Sequence, residues 1–320
     1  MSEQKVLIDS ANAGERIDIL LAKKTGITRS QIQKLLERRE ILVNERSANP
    51  NYRVRPGDVI VVNRAVKDSE SLIAEPIPLD IPYSDEYLVV VNKPAGMVVY
   101  PAVGHERGTL MNAVAYWCTH LAMTGSPLRP GVVHRLDKDT SGVMVVALED
   151  GAYYSLAEQF KERTINRRYI ALVYGDLKGE EGEIALRIGR SVSDRKKMST
   201  RVKKGKEAVT RWKISKRFGK ATLVEVKLGT GRTHQIRVHF SSLGHPVVGD
   251  RTYGKKTALE FSGGKKISFP RQMLHAGLLG FIHPSTGQYM EFSSPLPEDM
   301  AGRIKKLEAL LENPLLPGTG

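Results

Sequence analysis

The densest run of reactive side chains is Arg129-Pro-Gly-Val-Val-His134-Arg135-Leu-Asp137-Lys-Asp139-Thr140-Ser141-Gly142. Three chemistries compete for it. A hydrolase triad would use Ser141 and His134, but no Gly-x-Ser-x-Gly elbow occurs anywhere in the chain. Asp137 and Asp139 are residue types that a magnesium ion accepts, yet residues two apart on an extended strand point to opposite faces. Asp139, Thr140 and Ser141 have the chemistry of a hydrogen-bonded turn. That leaves Asp137 as the side chain free for other work.

These residues need a rigid mount. Val132 and Val133 read as the end of one strand, and Val143 to Ala147 as a fully apolar, buried strand. The polar cluster is then a connection at a sheet edge, where catalytic groups are commonly held.

The remaining candidates for chemistry narrow the field. His234 and His239 lie five apart, off the i, i+4 spacing of a helical zinc site. With His245 they read as hydrogen-bonding residues of a core or groove, and His275 and His283 as structural. The single cysteine, Cys118, excludes an internal disulfide and a Cys-x-x-Cys zinc ribbon, and it fits a reducing compartment. Neither a Gly-x-Gly-x-x-Gly turn nor a Walker loop is present, and no metal site is expected.

The chain has 320 residues, enough for two domains of about 150 each. Its 41% hydrophobic and 26% charged residues are ordinary for a folded protein. Its charge is not: 49 Lys and Arg against 35 Asp and Glu give +14, which points to a polyanionic partner. No apolar run approaches the roughly 18 residues of a membrane span, and the first residues lack the plan of a signal peptide. A cytoplasmic protein with a nucleic-acid partner is expected. The charge is concentrated over residues 187–220, with 14 Lys and Arg against 2 Asp and Glu. Arg195, Lys196, Lys197, Lys203 and Lys204 cluster there between strand-like stretches, the composition of a basic hairpin that neutralises phosphates.

Residues 1–65 read as a small module. Ile17, Leu20 and Leu21 share one face of a short helix. Thr28-Arg-Ser-Gln31 is a capping box that opens a second helix with Ile32, Leu35 and Leu36 on its apolar face. Arg29, Gln33, Lys34 and Arg38 are left for its other side. Ile41 to Asn44 and Val59 to Val62 read as strands. Residues 66–80 read as a linker, 81–312 as the main domain and 313–320 as a frayed tail.

The pattern Arg16-Ile-Asp18, Thr28 to Gln31, Ile41 to Asn44 and Pro56-Gly-Asp58 resembles the alpha-L RNA-binding fold. That likeness implies that the capped helix lays Arg29, Lys34 and Arg38 on RNA phosphates. His134-Arg-Leu-Asp-x-x-Thr-Ser-Gly142 is similar to the signature of pseudouridine synthases acting on large-subunit ribosomal RNA, the RluA/RluD type. So are Leu88 to Pro101, Arg168-Tyr169-Ile-Ala-Leu-Val173, and Gly229 to His239 with Leu243 to Pro246 and Gly249-Asp250. Tyr100 departs from the pattern by standing where most members carry histidine.

This resemblance implies an α+β fold with a mixed, largely antiparallel sheet, behind an N-terminal alpha-L domain. It further implies that Asp137 is catalytic, that Tyr169 stacks on a flipped base, and that Arg135 displaces that base from its helix. Arg237 would pair with Asp137, favouring its charged form and fixing its rotamer. Isomerising uridine breaks an N-glycosidic bond, turns the uracil and rejoins it through carbon, so it needs no cofactor. The carboxylate could attack the sugar, attack the base or abstract a ribose proton. A monomer acting on ribosomal RNA is expected. The alternative from a different class is a non-catalytic ribosome-assembly factor on the same fold.

Overall fold

The computed structural model describes residues 2–9, 12–25, 29–64, 72–102, 104–194 and 197–312. The chain forms two compact units, residues 1–71 and 72–320.

In the first unit, strand β1 (Ser2–Leu7), helices α1 (Ile17–Thr25) and α2 (Arg29–Glu37), and strands β2 (Ile41–Val43), β3 (Arg46–Ser47) and β4 (Val59–Arg64) follow in order. The strands make an antiparallel sheet in the order β1-β4-β2-β3. Ile17, Leu20 and Leu21 of α1 and Ile32 and Leu36 of α2 bury the faces expected of them, against Ile41, Val43, Ile60 and Val62. Strand β1 was not legible, because Ser-Glu-Gln-Lys-Val-Leu alternates only weakly; it forms on the free edge of β4.

Asp18 is fully buried and gathers Arg16, Arg29 and Gln33 as donors. Burial pushes its carboxyl up, but hydrogen bonds from Arg16, Gln33 and Arg29 outweigh that and hold it far below the usual carboxylate range. Arg29 is thus turned to Asp18 at 2.9 Å, although half of its side chain stays exposed. The capping residue Thr28 lies outside the described residues.

The second unit contains β5 (Asp80–Ser84), β6 (Leu88–Lys93), α3 (Leu110–Trp117), the short ladder β7 (Gly125–Ser126) and β8 (Arg129–Pro130), β9 (Ser141–Ala147) and α4 (Asp150–Glu162). It continues with β10 (Asn166–Tyr174), β11 (Glu181–Ala185), the ladder β12 (Gly189–Arg190) and β13 (Met198–Ser199), β14 (Val209–Arg217), β15 (Ala221–Leu228) and α5 (Gln235–Ser242). The ladder β16 (Ala258–Glu260) and β17 (Lys266–Ser268), then β18 (Leu274–Ile282), β19 (Tyr289–Ser293) and α6 (Glu298–Glu312), complete it.

The main sheet runs β11-β14-β15-β10-β18-β9-β6-β5, with β19 also on β18. Its pairs are antiparallel except β9 with β18, so the mixed, largely antiparallel sheet is as expected. The parallel pair touches only at Ser141–Gly142 against His275–Ala276. Gly142 permits it: its φ is +122°, and a Cβ there would fall 2.2 Å from the Ala276 oxygen. The two halves of the sheet meet at the residue where the Asp137 loop ends.

All seven residues of β9 are buried, as its apolar run requires. Val132 and Val133, in contrast, form no strand. The chain leaves the β8 ladder at Gly131, where a Cβ would sit 1.9 Å from the Ala147 oxygen, and enters the loop without a further strand. Asp137 and Asp139 lie about a turn in which Thr140 donates its N–H to the Asp137 carbonyl. Of the 66–80 stretch read as linker, residues 66–71 lie outside the described residues. The rest runs along the second unit, where Asn112 donates to the Ile73 carbonyl and Trp117 to the Ile77 carbonyl.

Candidate active site

The Asp137 loop is fixed from three sides. From β6, the buried Lys93 ammonium donates to the carbonyls of Pro94, Met97 and Lys138, the last belonging to the residue after Asp137. Burial pulls that ammonium down to about 7, against the opposing pull of Asp139 and Asp137. From the segment before β18, Arg271 donates to the Asp139 carbonyl and Gln272 to the Thr140 hydroxyl. From α4, the Phe160 ring stacks on His134 with centroids 4.6 Å apart. His134 Nε2 accepts the Val145 N–H, and burial, with Arg167 nearby, drops its imidazole to about 3. His134 is therefore a neutral strut.

Arg237 comes from the opposite half of the sheet, on α5. That helix is oriented by Gln235, which accepts from Thr230 and from the Arg232 N–H and donates to Val209 and Thr210. One nitrogen of Arg237 reaches Asp137 Oδ2 at 2.7 Å. The other two hold the fully buried Asp250 at 2.7 and 3.0 Å. Asp250 also accepts the N–H groups of Thr252 and Tyr253. The result is a two-ended guanidinium clamp: one arm is locked in the protein and one carries the candidate carboxylate. Although Arg237 is buried, its acidic partners raise its pKa.

Tyr169 lies on β10 at a register irregularity against β18, a distortion of the kind that re-aims a side chain. Asp137, Tyr169, Leu228, Arg232, His234 and Arg237 are among the residues lining one open pocket with about 360 Å³ of atom-free space. The three residues predicted for the reaction therefore come together.

His234, read as a core or groove residue, also belongs here. It precedes α5 with φ +56°, a left-handed backbone that a non-glycine residue adopts at some cost. Its Nδ1 contacts the Tyr253 hydroxyl at 2.8 Å, and its Nε2 lies 3.6 Å from Asp137 Oδ1. Tyr253 accepts the Met198 N–H and stacks under the Arg237 guanidinium at 5.1 Å. Sequence spacing gave no sign of Tyr253, whose partners Met198 and His234 lie elsewhere in the chain; Lys93 fell within the matched stretch Leu88 to Pro101, but its tie to the loop, through the Lys138 carbonyl, spans 45 residues.

Arg135 is exposed. It donates to the Tyr100 hydroxyl at 2.9 Å, while Arg135 and Arg129 both lie over the Tyr100 ring. The tyrosine at the departing position is thus a perch for Arg135. Arg38 is exposed just beyond α2, which also carries Lys34.

Arg195 and Lys196 lie outside the described residues. Lys197 is near Asp194 at 3.6 Å, and Lys203 and Lys204 are exposed beside the β12–β13 ladder. The 187–220 stretch is not one cluster. Arg211, Lys216 and Arg217 pair with Glu183, Glu308, and Asp176 and Glu180 on neighbouring elements. Acidic residues distant in sequence supply those partners.

Among the described residues, no group of three His, Cys, Asp or Glu side chains is arranged to hold a metal ion. No helix among them is long and apolar enough to cross a membrane.

Comparison with known proteins agrees with this geometry. Residues 87–242 match the family model described as RNA pseudouridylate synthase, and residues 15–60 match the S4 domain. An uncharacterized RNA pseudouridine synthase of Bacillus subtilis is 44% identical over 96% of this chain and 99% of its own. The ribosomal large subunit pseudouridine synthase D of Zymomonas mobilis is 39% identical over 96% and 98%. A solved structure, human RNA pseudouridylate synthase domain containing 1, superposes with a TM-score of 0.54 at 28% identity, covering 74% of this chain and 97% of its own.

Proposed function

Because this chain belongs to the RNA pseudouridylate synthase family, we propose that it converts specific uridines of large-subunit (23S) ribosomal RNA to pseudouridine, with Asp137 as the catalytic carboxylate. The observation that carries this reading is the 2.7 Å pair between Arg237 and Asp137 at the pocket beside Tyr169. A relative named for the large ribosomal subunit, alike over nearly its whole length, supports the substrate class.

The reaction breaks the bond from N1 to C1′, rotates the uracil and forms a bond from C5 to C1′. The proton lost from C5 is balanced by one gained at N1, so nothing is oxidised and no group is added. Attack at C1′, attack on the uracil and abstraction of a ribose proton all need one immobile carboxylate oxygen facing the nucleoside. Arg237 occupies Oδ2, and among the described residues the polar contact of Oδ1 is His234 at 3.6 Å, too long for a hydrogen bond. Oδ1 is the oxygen available to the substrate. Tyr169 offers the flipped base a stacking face worth about 1–3 kcal/mol. Unstacking costs a few kcal/mol, and Arg135, held on Tyr100, fills the vacated place.

The S4 module, through Arg38 and Lys34, and the hairpin lysines would grip flanking phosphates. Replacing Lys196, Lys197, Lys203 and Lys204 by glutamine is expected to flatten log affinity against log salt by about 0.7–0.9 per lost contact. An unaltered slope means that the hairpin charge is only solvated. The single cysteine suits a reducing compartment such as the cytoplasm.

The test is a pseudouridine map of large-subunit RNA from cells with and without the gene. Loss at defined uridines is expected. An unchanged map favours a non-catalytic RNA binder.

A further inference from the structure

Arg167 stands two residues before Tyr169 on β10 and is 7% exposed. Its Nε is buried without a hydrogen-bond partner. Among the described residues its guanidinium makes no ion pair, and its ring contact is with Phe160 at 5.4 Å. A desolvated charge with no anion beside it destabilises a fold unless something else uses it. The surroundings indicate the user.

Gly231, exposed in the loop between β15 and α5, lies beside the guanidinium with no side chain of its own: a Cβ there would lie 2.8 Å from an Arg167 terminal nitrogen. The next residue, Arg232, lines the Asp137 pocket. Arg167 also acts electrostatically on Tyr169, its neighbour on β10, and on His134 of the Asp137 loop. A bare guanidinium is thus backed by an aromatic ring and approached through a residue with no side chain, at the margin of the reacting pocket.

We propose that Arg167 binds a phosphodiester of the RNA strand whose nucleotide enters the Asp137 pocket, with Gly231 leaving room for the phosphate oxygens. Guanidinium suits this task because its fork can donate two parallel hydrogen bonds to one phosphate. The inference rests on RNA as the substrate and on Asp137 marking the pocket.

Two variants of the full chain test it, using an unmodified transcript of large-subunit ribosomal RNA as the probe. Arg167→Met keeps an unbranched side chain against Phe160 and removes the charge. It is expected to lower the salt slope of binding by about 0.7–0.9 while holding or raising Tm, since an unpaired buried charge is gone. A wild-type slope overturns the proposal, whatever happens to turnover, because a packing role or a contact to a neutral base leaves counterion release unchanged. Gly231→Ala keeps Arg167 charged and places a methyl group where the phosphate would lie. It is expected to weaken binding at low salt about ten-fold, and wild-type affinity overturns the proposal even where Arg167→Met fails to fold. Both measurements read binding, so they stand apart from the isomerase assignment, which fails instead if the wild-type protein forms no pseudouridine in this transcript.

Discussion

Replacing Arg237 with methionine is expected to abolish measurable pseudouridine formation and to lower stability by about 3–5 kcal/mol, the range for breaking a buried ion pair from one side. Two effects combine. Asp250, with no exposed surface, loses two hydrogen bonds and its counter-charge, keeping, among the described residues, the N–H groups of Thr252 and Tyr253. Asp137 loses the contact that fixes its rotamer, and a misplacement of about 1 Å at a reacting group costs about 100-fold in rate. The stability half is read by tryptophan fluorescence during urea unfolding. Trp117 and Trp212 both belong to the second unit, so the signal reports that unit alone. Arg237→Lys keeps a charge but cannot span both carboxylates with one rigid fork, and an intermediate loss is expected. Activity of Arg237→Met equal to wild type would show that the clamp is not needed.

Lys93→Met should have the second largest effect. Three carbonyls lose their donor, and each orphaned buried acceptor costs about 1–3 kcal/mol. Lys138 still receives the Gly96 N–H, and relief of a buried ammonium offsets part of the loss, so a net cost of about 2–3 kcal/mol is expected. Activity falls with it, because the Lys138 carbonyl is the tether next to Asp137. The pH dependence gives a separate signature. The folded ammonium titrates near 7, against an ordinary lysine value of 10.5. Between these values the unfolded chain holds a proton that the folded chain has released, so stability rises with pH across that window. Below 7 both states are protonated and the contribution is lost. Lys93→Met should remove this rise; a variant with the same pH profile as wild type would show that Lys93 is not its source.

Some of this was legible from local pattern. The run Val143 to Ala147 is apolar at every position, and it is the buried strand that carries the loop. The helical spacing of Ile17, Leu20 and Leu21 gave a helix whose inner face was correctly placed. Asp137 stood out because its neighbours could be explained as a turn and it could not. Features set by distant partners were not legible. Val132 and Val133 have the composition of a strand, but Gly131 packs against the Ala147 backbone and redirects the chain. His234 and Tyr253 meet only because α5 and the turn after it fold over the same pocket. The basic stretch looked continuous because the carboxylates that neutralise its second half come from β11, α6 and the turn between β10 and β11.

The most direct test is a purified assay of Asp137→Ala on the RNA that the wild-type protein modifies, with binding and pseudouridine yield measured side by side. The side chain is small and its Arg237 partner keeps Asp250, so the fold and the RNA affinity should persist while product falls to background. Turnover by that variant at the wild-type rate would contradict the account, whatever its affinity.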